Sequence, residues 1–339
     1  MNLSRIAAVT GLCLMTACDI PTDVPIIDQQ WIVPIETTNI SVSQLLPSGV
    51  TIVGTRFAVT VGSLATTRTL GDFCAGCNGT ASPPAFTNSV STPPQSLPNL
   101  VAGADLASGT VNLLISNGFA FDPTSNGGSV TVVVLDGVGG RVVGTTTITG
   151  SGLPAGQSTT RTFTLTPGSV GASLIATTTI DSKAGGPAVT MSSSQQFAVT
   201  ATPQSILVNS AKVNVSSKAF NVDQQNLDVE DIDTDITDHL QEGAIVLDIT
   251  NPFGVAMNAT IRINYPGGVL TRTIAVPNTA TSSVRLAYSG AELKLFLGKP
   301  GVTLTGNGTI AGTAGTITVT PTQTVQLKAK LDAKIQIGS

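Results

Sequence analysis

The chain has 339 residues, enough for two ordinary domains, and 41% of them are apolar, enough for real cores. Charged residues make up only 11%, under half the ~25% usual in soluble proteins. With 16 basic residues against 20 acidic, one Trp and two Tyr, the chain lacks both a basic footprint and base-stacking platforms, so no nucleic-acid partner is expected.

The first predicted element is a targeting segment over residues 1–17. Arg5 supplies the positive start, and Ile6 to Met15 form an apolar run. That run is far shorter than the ~20 residues of a membrane-spanning helix. Small residues Thr16 and Ala17 follow, and then Cys18. Leu14-Met15-Thr16-Ala17-Cys18 resembles the lipobox of bacterial lipoproteins, with Met15 standing where Leu is commonest. The resemblance implies cleavage before Cys18, a diacylglycerol thioether on its sulfur and an acylated new amine. It places the protein in the cell envelope, held at a membrane through its N-terminal lipid. Asp19 favours inner-membrane retention in the best-known sorting rule, which varies between bacterial groups, so which membrane stays open. The alternative is an ordinary secretory signal cut after Ala17, leaving a free thiol.

Residues 18–50 read as the lipidated terminus and a tether. Pro21, Pro25 and Pro34 interrupt helix and central strand alike, and Trp31 is its one large docking side chain. Next comes "FCAGCNG" with Cys74 and Cys77. In an exported chain this spacing favours a loop-stapling disulfide. A redox motif needs a helix after the first cysteine, and here Asn78-Gly79 and then Pro83-Pro84 follow. A haem attachment needs His where Asn78 stands. Zinc needs two further ligands. No cofactor is expected.

"LASGTVNLLISNGFAF" from Leu106 and "LQEGAIVLDITNPFGV" from Leu240 look alike. Leu106, Gly109, Val111, Leu113, Ile115, Asn117 and Phe119 match residues 134 positions later, Gly109 meeting Gly243. A second match links Thr202-Pro203 and Ala211-Lys212-Val213 with residues 118 positions later, Thr320-Pro321 and Ala329-Lys330-Leu331. Spacing by two marks one face of a strand. A repeat this long predicts two copies of a domain rather than a solenoid. The expected division is 51–208 and 209–339. "SVTVVVLDG", "RTFTLTPG" and "NATIRINYPGG" are β-branched runs ended by turns.

Between the matches lies the acidic run Asn226 to Gly243. Asp231, Asp233, Asp235 and Glu242 occupy the first, third, fifth and twelfth places of an EF-hand calcium loop, but Ile236 stands where that loop needs Gly. These four are a weak calcium candidate. The competing expectation is a helix with Val229, Ile232, Ile236 and Leu240 on one stripe. Asp228 would cap it, His239 would sit in the last turn and Gly243 would end it. His239 is the only histidine, and no local triad, zinc-helix or phosphate-loop motif accompanies it.

Asn251-Pro252, after a hydrophobic strand, weakly resembles the Asn-Pro turn of the late-embryogenesis-abundant type 2, or WHy-like, β-sandwiches, over about residues 210–337. "SGAELKLFLGKPG" from Ser289 predicts a short amphipathic helix with Leu293, Phe296 and Leu297 on one side, most simply a core cover. "TVQLKAKLDAKIQIG" alternates as a half-buried strand. The expected architecture is all-β: two tandem antiparallel sandwich-like domains, each with a short helix before a central strand. The expected role is non-enzymatic, a structural, adhesion or partner-binding protein of the envelope. The alternative is a carrier of an apolar ligand, such as a lipid, between the sheets.

Overall fold

A computed structural model describes residues 27–137, 140–312 and 315–337. Cys18 and the targeting segment lie outside the described residues. The described chain is mostly strand, and all its strand pairings are antiparallel. Alternation explains this. In Ser129–Asp136 and Ser173–Ser182 every second residue is buried, the pattern of a strand with one face on a core.

Four main sheets form two layered halves. In the N-terminal half one sheet runs Val142–Thr149, Ser129–Asp136, Ser173–Ser182, Phe86–Ser91. The facing sheet runs Ser158–Thr164, Val101–Asn117, Gln196–Asn214, with Leu64–Thr69 and Arg56–Val59 sharing the far side of the last strand. In the C-terminal half one sheet runs Gly268–Val276, Met257–Tyr265, Thr303–Ile310, Ala219–Asn226. Its partner runs Thr281–Ser289, Leu240–Thr250, Thr324–Ile337, Ile27–Ser41. Read in chain order, strands occupy corresponding places in the two halves.

The tether expected over residues 18–50 is therefore, from Ile27 onward, an edge strand. It pairs with Thr324–Ile337 from Asp28 opposite Gln336 to Ser41 opposite Thr324. Pro34 is compatible because it sits on an edge beside a register slip, where a missing N–H breaks no central ladder. At its far end this strand meets the opposing sheet: Gln225 Nε2 donates to Thr38 Oγ1 at 3.2 Å.

The boundary expected at 208/209 falls inside the strand Gln196–Asn214. Its last residues carry Thr316–Val319 from the C-terminal half as an added neighbour. The helix expected over residues 226–243 is also much shorter. Only Thr234–Asp238 is helical, capped by Asp233 rather than Asp228. The backbone ahead of it bonds outward: Leu227 N–H to Val302 O, and Gly298 N–H to Val229 O, each at 2.8 Å. Val229 and Leu240 are buried, but by a loop crossing the end of the core and by the next strand. In the N-terminal half a turn at Pro98–Leu100 leads into Val101–Asn117, and the one-turn helix there, Leu70–Phe73, lies earlier.

Candidate functional site

The richest cluster of charge lies on the outer face of the C-terminal sheet. In Thr324–Ile337, Val325, Leu327, Leu331 and Ile335 are buried, and Lys328, Lys330 and Lys334 face out with Asp332. Period-two alternation dictates this arrangement. Register brings partners alongside: Lys334 lies between Gln30 and Glu242, and Lys328 faces Asp248.

Asp332 is nearly covered. Gln30 Nε2 donates to its Oδ1 at 2.7 Å and the Arg285 guanidinium to its Oδ2. These bonds from Gln30 and then Arg285 hold its carboxyl below the usual carboxylate range. Lys330 Nζ reaches Asp248 Oδ2 at 3.0 Å. That bond, with one from Ser283, lowers Asp248 as well. Asp28, Gln29, Gln30, Glu242, Arg285, Asp332 and Lys334 line an open groove of about 310 Å³. A general acid must hold its proton near neutral pH. Asp332 is tuned the opposite way and is not suited to that role.

The structure disperses the calcium candidates. Asp233 Oδ1 accepts from Asp235 N–H at 2.9 Å and caps the short helix. Asp231 and Asp235 are exposed. Glu242 sits on the following strand, opposite Lys334. Among the described residues no group of three or more His, Cys, Asp or Glu converges. The reason is the strand that begins at Leu240 and carries Glu242 away from the loop. His239 caps the helix end: its N–H donates to Ile236 O at 3.1 Å, and its Nδ1 lies 2.7 Å from Asp235 O. The ring is exposed. Trp31, Asp235, Ile236, His239 and Ile335 outline a shallow notch of about 230 Å³.

Cys74 and Cys77 are joined by a disulfide. Cys74 follows the helix Leu70–Phe73 as its C-cap, with its N–H on Leu70 O at 2.8 Å. Thiolates are favoured at the opposite end of a helix. Leu293, Phe296 and Leu297 are buried; the helix there, Gly290–Leu293, opens with a Ser289–Glu292 capping box.

The sheets pack closely where they face each other. The inter-sheet pocket beside Leu97, Val143 and Leu174 in the N-terminal half holds about 20 Å³, and that beside Leu227, Leu247 and Ile261 in the C-terminal half about 10 Å³. That is room for about one water molecule, against the ~300 Å³ or more of a small-molecule site.

The repeat match contains two polar residues whose role the sequence does not announce. Asn117 and Asn251 are each 1% exposed. Asn117 Nδ2 donates to Phe121 O at 3.0 Å and to Leu153 O at 2.8 Å, and its Oδ1 accepts from Phe119 N–H at 3.1 Å. Asn251 does the same four and two residues on, to Val255 O at 2.8 Å and from Phe253 N–H at 3.2 Å. Gln30, Arg285 and Asp332 are the other omission. Their meeting depends on three strands of one sheet, two of them from opposite ends of the sequence, and no local pattern signals it.

No protein-family model matches the chain, and no curated protein matches it. Among solved structures, a presumptive secreted protein from Parabacteroides distasonis is similar at 10% identity and TM-score 0.32, over 91% of this chain and 100% of that one. The VP2 subviral particle of infectious bursal disease virus gives 11% identity and TM-score 0.20 over 94% and 82%. The tandem CBM22 domains of Paenibacillus barcinonensis Xyn10C give 9% and 0.19 over 82% and 99%. Likeness at this level carries no argument about function.

Proposed function

We propose that this is an exported envelope protein, held at a bacterial membrane by lipid on Cys18, whose sandwiches act as a non-enzymatic scaffold for a protein partner. The observation that carries the binding role is the outer face of the C-terminal sheet. It concentrates Lys328, Lys330, Asp332, Lys334, Asp248, Glu242 and Arg285 in a chain only 11% charged. Fixed, mutually oriented charges give specificity and steering to a protein contact. The close packing of the facing sheets favours this reading over a carrier of lipid between them.

We also read the halves as copies of one domain, the second completed by Ile27–Ser41. The corresponding strand orders and the paired roles of Asn117 and Asn251 support that reading.

Fractionation of cells tests the anchor: Cys18→Ser should move the protein out of the membrane pellet and abolish labelling by radioactive palmitate. Equal membrane retention of that variant would sink the lipid anchor. Photo-crosslinking from position 330 in intact cells tests the scaffold role. A discrete adduct, lost when Arg285 is replaced by Glu, is expected; a smear insensitive to that change would count against it.

A further inference from the structure

The strand Ile27–Ser41 places an unusual pair of side chains at the end nearest Cys18. Trp31 is 37% exposed and Ile32 is 61% exposed. They are consecutive, so they point to opposite faces of the sheet, and an approach along the sheet edge meets both. Among the described residues no strand pairs with that edge; the strand's ladder partner, Thr324–Ile337, lies on the other side.

Chain length decides what lies nearby. Eight residues, and so nine residue steps, separate Cys18 from Ile27, and at 3.3–3.6 Å a step they reach at most about 30 Å. The strand itself continues for 15 residues, about 50 Å at ~3.3 Å per residue. A lipid on Cys18 therefore keeps the Ile27 end near the bilayer, while the Ser41 end can stand far from it. Trp is suited to that place, since its ring is apolar on its body and polar at its N–H, and it is enriched at membrane–water interfaces.

Charge around the edge is mixed: Glu230, Asp231, Asp233 and Asp235 are exposed on the loop beside the Trp31 notch, Asp238 pairs with Lys294 at 3.4 Å, and Lys330 and Lys334 face out from the neighbouring strand. Apolar burial rather than headgroup charge therefore carries the contact.

We propose that the edge around Trp31 and Ile32 rests on the lipid surface as a second contact beside the Cys18 acyl chains. The inference rests on the lipid-anchor reading. Trp31 is the only tryptophan of the chain, so its fluorescence reports this edge alone.

The test uses the full lipidated protein in phosphatidylcholine vesicles, with and without brominated acyl chains. Bromine should quench Trp31 emission. Ile32→Asp, at a mostly exposed position, should weaken the quenching without unfolding the protein. In the Cys18→Ser protein, loss of two apolar contacts (Trp31→Ser with Ile32→Ser) should lower vesicle partitioning at least tenfold.

Unquenched emission from protein that floats with the vesicles overturns the contact and leaves the anchor standing. Quenching that persists in the weakly bound Cys18→Ser protein supports the contact, and vesicle binding undiminished by Cys18→Ser overturns the anchor. Protein that neither floats nor is quenched overturns both. Quenching unchanged by Ile32→Asp overturns the edge-on geometry.

Discussion

Asn117 closes off a loop cluster in the N-terminal half, and Asn251 does the same in the C-terminal half. Each buried amide stands in for backbone partners that two converging loops cannot supply to one another. Removing such a group leaves buried carbonyls without donors, at ~1–3 kcal/mol for each. Asn117→Ala should therefore destabilise by about 3 kcal/mol. Asn251→Ala should cost about 2 kcal/mol, because its second carbonyl, Pro277 O, is 3.5 Å away. Urea unfolding measures both, and a loss under about 0.5 kcal/mol, the scale of ordinary surface changes, would show the amides to be idle. Acid sensitivity belongs to the same scale. Asp332 and Asp248 have carboxyls lowered by their donors. Their contribution is complete above the usual carboxylate range and is lost as pH falls through the lowered folded values. Asp332→Asn should flatten the fall in melting temperature on acidification; an unchanged slope would mean that Gln30 and Arg285 do not hold it. Sequence shows that Asn117 and Asn251 correspond, and it shows alternation on the last strand. It cannot show that Asp332 meets Gln30, because 302 residues separate them.

At the scale of elements, strands were legible and the helix was not. Val229, Ile232, Ile236 and Leu240 have helical spacing, but spacing cannot distinguish a helix from a loop whose apolar residues cap a core end. The backbone bonds of Leu227 and Val229 to Val302 and Gly298 decide against the helix. Gly243, where helical spacing predicts a stop, is a strand residue under close approach. A Cβ there would lie 2.8 Å from Asp332 O and 3.2 Å from Ala333 Cα. Since backbone cannot swing aside like a side chain, Gly243→Val should cost roughly 1–3 kcal/mol by overpacking. Wild-type stability in calorimetry would show that the sheet can spread there. The disulfide closes a loop with a sequence separation of 3, so reduction should cost at most about 2 kcal/mol. Global unfolding on mild reduction would contradict this local role.

At the scale of the molecule, the halves are unequal in how they are completed. The C-terminal sheet borrows Ile27–Ser41 from the start of the chain, while Gln196–Asn214 borrows Thr316–Val319 from near its end. A protein beginning at Val42 should keep protection in the N-terminal half and lose it across Leu240–Thr250 and Thr324–Ile337 in hydrogen exchange. Full protection of both would mean that the borrowed strand is decorative. The all-β class could be read from alternation. The exchange of strands between halves could not, since proline-rich sequence reads as tether until an edge is available to accept it.

That borrowed strand has a consequence in time. Its partner is made about 300 residues later, and synthesis at ~5–20 residues per second puts roughly 15–60 seconds between the two. Pairing that distant in sequence also closes slowly once both strands exist. Throughout this interval Ile27–Ser41 has no ladder. If Cys18 is acylated as the strand emerges, the protein is fastened to its membrane before its second sandwich exists, and it completes its folding there.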